Sequence, residues 1–70
     1  MYKVIFSLHY KKADADKGVQ RIAKYCPLAH VEPKDNLFVS VVGEYETKAE
    51  AVKICCHLAR NGLWGIITNE

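Results

Sequence analysis

Asp35-Asn36-Leu37-Phe38-Val39-Ser40-Val41-Val42-Gly43-Glu44-Tyr45-Glu46-Thr47-Lys48-Ala49-Glu50-Ala51-Val52-Lys53-Ile54-Cys55-Cys56-His57-Leu58-Ala59-Arg60-Asn61-Gly62-Leu63-Trp64-Gly65-Ile66-Ile67-Thr68 is the stretch that decides the fold, because it encodes a strand, a helix and a second strand in succession. Leu37 to Val42 is a β-branched and aromatic run, and Gly43 is expected to end it. Thr47 and Glu50 have the spacing of a capping box, in which each side chain bonds the other residue's backbone N–H. Gly62 follows the last turn, where a left-handed residue is least costly without a Cβ. Between these ends Ala51, Val52, Ile54, Cys55, Leu58 and Ala59 form a broad apolar arc, so the helix covers a sheet. Leu63 to Thr68 supplies a short return strand.

Upstream, Tyr2 to Leu8 alternates, with Tyr2, Val4, Phe6 and Leu8 on the expected core side and Lys3, Ile5 and Ser7 on the other. From Ala13 to Cys26 the apolar residues Ala15, Val19, Ile22, Ala23 and Cys26 recur at helical spacing. Asp14 and Asp16 suit the positive end of that helix's dipole, and Pro27 stops it. Leu28 to Glu32 is a short candidate strand, and Pro33-Lys34-Asp35-Asn36 has the composition of a turn. A weak internal repeat supports two βαβ halves: Lys12, Ala13, Ala15, Ile22, Ala23 and Lys24 recur 36 positions later as Lys48, Ala49, Ala51, Leu58, Ala59 and Arg60. The expected fold is therefore a single α+β domain over residues 1–70, a ferredoxin-like βαββαβ sandwich. Its helices, near Lys12 to Tyr25 and Lys48 to Asn61, lie on one face of a four-stranded antiparallel sheet.

Composition narrows the function classes. Ten basic and eight acidic residues give a net charge of +2, too weak to point to nucleic acid, and half of the residues are hydrophobic, enough for one small core. There is no apolar run long enough to insert into a membrane and no signal-peptide pattern. The expected location is cytoplasmic if the chain is whole, and the cell envelope if it belongs to a longer protein. Cys26, Cys55 and Cys56 are odd in number, and adjacent helical cysteines diverge, so no disulfide framework is expected.

Two helices cover one face of a sheet and leave the other to solvent or a partner. The alternation places Lys3, Ile5, Ser7, Val39 and Val41 on that open face, with Trp64 a further candidate; a one-residue slip in Leu37 to Val42 would put Phe38 and Ser40 there instead. These six residues are the candidate ligand-binding set. Ile5 and Val41 are expected to be exposed, so a glutamate at either should leave folding nearly intact.

Leu37-Phe38-Val39-Ser40-Val41-Val42-Gly43-Glu44-Tyr45 followed by Thr47-Lys48-Ala49-Glu50-Ala51, and Tyr2-Lys3-Val4-Ile5-Phe6-Ser7 followed by Lys12-Ala13-Asp14-Ala15-Asp16, resemble the two halves of the sporulation-related repeat (SPOR) domain. The likeness covers nearly the whole chain. The resemblance implies a bacterial, noncatalytic module of sporulation and cell division whose open sheet face binds septal peptidoglycan, holding glycan strands stripped of stem peptides. Where that family often has glutamine on the open face this chain has Ile5 and Val41, and Ser7 stands at the first glycine. Such aliphatic side chains suit the alternative reading, a protein-interaction or homodimerisation module using the same apolar face.

Other constellations carry less. Cys55-Cys56-His57 are splayed by helix geometry and do not form a tetrahedral metal set, and no cofactor motif is present. A Cys26–His30 dyad would need an electropositive pocket, and nothing in the sequence pairs His9 or His30 with a nucleophile, so enzymatic activity is not expected. RNA binding would need an aromatic platform on the central strands, but Phe6 and Phe38 fall on the expected core side.

Overall fold

A computed structural model describes residues 1–69. Its elements are β1 (Tyr2–His9), α1 (Lys12–Ala23), β2 (His30–Lys34), β3 (Leu37–Tyr45), α2 (Lys48–Arg60) and β4 (Ile66–Asn69). The strands form one antiparallel sheet in the order β2-β3-β1-β4, and both helices pack against one of its faces. The βαββαβ architecture expected from the sequence is the observed one.

The core lies between helices and sheet. Val4 and Val42 from the central strands meet Ile22 and Cys26 from the α1 side, and Ala51, Leu58 and Leu63 from the α2 side. Ile22 and Leu58 are fully buried, so truncating either to alanine should cost about 2–5 kcal/mol. Burial pushes the Cys26 and Cys55 thiols up, away from the reactive thiolate.

Helix ends follow local chemistry. Thr47 Oγ1 accepts from the Glu50 N–H at 3.2 Å, but among the described residues the reciprocal arm of the box is not formed. At the far end the Leu63 N–H donates to the Leu58 carbonyl and the Gly62 N–H to the Ala59 carbonyl, with Gly62 at φ 76°. This closure leaves Leu63 buried against Leu58. Leu63 and Trp64 are thereby taken out of the return strand, which starts only at Ile66.

Strand boundaries also differ from expectation: β2 starts at His30, with Leu28 and Ala29 outside it. Pro33 and Lys34 belong to β2, and only Asp35-Asn36 turn, joining Lys34 to its partner Leu37. Asp35 takes φ 55°, a left-handed geometry that aspartate tolerates. Gly43 does not end β3, which continues to Tyr45; it sits buried within the strand, opposite Val4.

Between β1 and β3 the register shifts twice. Val4 pairs with Gly43 and Ile5 with Val41, leaving Val42 as an extra residue on β3; Ser7 pairs with Ser40, leaving Phe6 as an extra residue on β1. Each extra residue acts as a bulge that reverses the alternation beyond it.

Candidate functional site

Face assignment follows from the register. Ser40 Oγ donates to the Ala15 carbonyl of α1 at 2.7 Å, so Ser40 and its partner Ser7 point towards the helices. Ser7 was expected on the open face; the bulge at Phe6 turns it to the other side. The same bulge brings Leu8, expected in the core, opposite Val39 on the helix-free face, where it is 55% exposed. Trp64 is 76% exposed but lies in the α2–β4 connection beside Val52, Cys56 and Ala59. It is therefore not grouped with the sheet face.

Ile5, Val39 and Val41 do come together there, as an apolar cluster separate from the main core. Lys3 shares their face. The cluster is not exposed, however: Ile5 is 8%, Val39 2% and Val41 0% accessible. The cover is ionic. Lys3 on β1 lies opposite Glu44, and Glu32 on β2 lies opposite Val39, so the 2.7 Å contact between Lys3 Nζ and Glu32 Oε1 runs diagonally across β3 above Val41. Glu44 adds a weaker contact to Lys3 at 3.9 Å, and His30 Nε2 lies 2.6 Å from Glu32 Oε2. A glutamate at Ile5 or Val41 would thus be buried, which overturns the expectation that folding would tolerate it.

These contacts set the charge states. Hydrogen bonds from Lys3 and then His30 hold the Glu32 carboxyl below the usual carboxylate range. His30 Nδ1 faces the Leu28 carbonyl at 2.9 Å while Nε2 faces Glu32, so both ring nitrogens meet acceptors and its pKa is raised.

Beside this ionic cover the face is open. A shallow groove there is lined by Ile5, Leu8, Leu37 and Ile66, with Thr68, Lys34 and Asp35 as its polar members; Ile66 is 63% exposed. Sequence reading missed most of this groove. Ile66 and Thr68 were findable from their alternation on the last strand, and His30, Glu32 and Lys34 from theirs once β2 is carried through Pro33. Leu8 was not, because its orientation depends on the bulge.

No protein-family model matches the sequence, and a comparison with curated proteins gives no match. Among solved structures, the chain is similar to the peptidoglycan-binding domain of the Bacillus subtilis cell wall lytic enzyme CwlC, a solution structure. The TM-score is 0.86 at 27% identity, over 99% of this chain and 87% of that one. That domain has a SPOR-type fold, and this chain shares the fold.

Proposed function

We propose that this chain is a noncatalytic SPOR-type module that binds peptidoglycan glycan strands on the helix-free face of its sheet. The observation that carries the reading is the similarity, over 99% of the chain, to a domain that binds peptidoglycan. The face offers what a sugar strand needs. Ile5, Leu8, Leu37 and Ile66 give an aliphatic floor for the apolar sides of pyranose rings, while Thr68, Lys34 and Asp35 offer hydrogen-bonding groups to hydroxyls and acetamides. The neighbouring Lys3–Glu32–His30 network supplies the polar character that Ile5 and Val41 lack. Trp64 lies outside this contact surface.

The test is co-sedimentation with purified sacculi, before and after an amidase removes the stem peptides. Binding that rises after amidase treatment and falls in Leu8→Glu and Ile66→Glu supports the proposal; no sacculus binding by the folded protein overturns it. A second reading, association with another copy or a protein partner, rests on the exposed Leu8 and Ile66 on one face. A concentration-dependent dimer abolished by the same two substitutions, without sacculus binding, would favour it.

A further inference from the structure

On the opposite side of the sheet, β4 reaches only to Ile66, opposite Ile5, so Phe6 to His9 have no strand beside them on that edge. A cleft opens there between the end of β1 and α1, lined by Phe6, Ser7 and His9 from the strand and by Asp14, Lys17 and Arg21 from the helix. Gly18 forms its wall, where the helix comes so close that a Cβ would stand 2.9 Å from Ser7 Oγ.

The lining has a definite chemical bias. Lys17 and Arg21 are four residues apart and so share one face of α1. Neither has a carboxylate within 4.0 Å among the described residues, Asp14 included. Arg21 is held over the Phe6 ring at 5.5 Å, which restrains the guanidinium without using its donors. The bulge aims Ser7 into the same space, where its hydroxyl lies 2.9 Å from His9 Nε2. Two cations, a hydroxyl and an imidazole thus line a recess whose aromatic wall is already in place, against one carboxylate, Asp14, that pairs with neither cation.

We infer that this cleft is a second binding site, for an oxyanion, either a carboxylate or a phosphate group, gripped by Lys17 and Arg21 and oriented by Ser7 and His9. Arginine suits either source through two parallel N–H···O bonds. The site is independent of the sheet-face reading and would stand if that reading failed.

The test is titration of the isotope-labelled protein with inorganic phosphate and, separately, acetate, at constant pH and ionic strength against chloride. Saturable amide shifts at Ser7, His9 and Gly18, with Val39 and Val41 unmoved, are expected; which anion saturates identifies the source. In the Lys17→Gln/Arg21→Gln variant, which keeps long hydrogen-bonding side chains on the helix and should fold, affinity should fall at least about tenfold, the loss expected of one charge-assisted contact. Shifts no different from those in chloride, or unchanged in the double variant, would overturn the inference.

Discussion

Lys3 and Glu32 meet side chain to side chain at 2.7 Å although their strands are not neighbours, because β3 runs between β1 and β2. The pair ties three strands together on the face where Val41 is fully buried. Glu32→Gln keeps the shape but loses the charge, and should cost about 1 kcal/mol, since the pair is partly exposed and solvent screens it. Urea unfolding would measure this, and an unchanged midpoint would show that the ion pair does not hold the face closed.

The same network predicts a pH profile. His30 has a folded-state pKa above its ordinary 6.5, so its stabilisation is full below 6.5 and is lost as pH rises through the folded value. Glu32 has a folded-state pKa below its ordinary 4.5, so its contribution is present above 4.5 and is lost as pH falls through the folded value. Stability should therefore plateau between the two and decline on both sides. His30→Gln should flatten the alkaline decline, as read from urea midpoints across the pH range.

Charge placed on the sheet face should separate by depth. Leu8→Glu and Ile66→Glu sit at exposed positions and should fold normally, whereas Val41→Glu would bury a second carboxylate beneath Glu32, in competition with it for Lys3, and should unfold a domain this small. Circular dichroism distinguishes these outcomes. A folded Val41→Glu variant would mean that the ionic cover opens readily.

Gly18→Ala tests a competition between two effects. Helix propensity alone favours alanine by about 1 kcal/mol, but the new Cβ would lie 2.6 Å from Ser40 Oγ and 2.9 Å from Ser7 Oγ. Overpacking of this kind costs about 1–3 kcal/mol and disturbs the Ser40 bond to α1, so net destabilisation is expected. A rise in melting temperature would show that the helix can shift outward freely.

Thr47→Ala should lower stability by about 1 kcal/mol through loss of its bond to the Glu50 N–H. Glu50→Ala should cost less, because its arm of the box is not made. Equal losses in thermal unfolding would contradict the single-armed cap.

Most of the architecture was legible because each element carries its own local signal. Val39 and Val41 share a face with Lys3 and Ile5 by simple alternation, and Gly62 announces the end of α2. Ser7 and Leu8 could not be read in that way. Their orientation is a property of two paired strands, each with one surplus residue, and neither strand's pattern reveals it alone. Nor could the ion pair over Val41, where a lysine and a glutamate 29 residues apart arrive on either side of it. Trp64 was misjudged because an apolar run looks the same whether its first residues pair in a sheet or, like Leu63, close a helix.

The placement of β1 has a consequence for how the molecule comes apart. Both of its neighbours, β3 and β4, come from the second half of the chain, so the two βαβ repeats are threaded through each other and do not stand side by side. A fragment ending at Asn36 would keep β1 and β2 but lack the strand that separates them. One starting at Leu37 would keep β3 and β4 with a strand-wide gap between. Neither repeat can fold first and wait for the other, so assembly must pass through long-range pairing and should be slow for a chain of this size. The two fragments, mixed, should recover together the structure that neither holds alone.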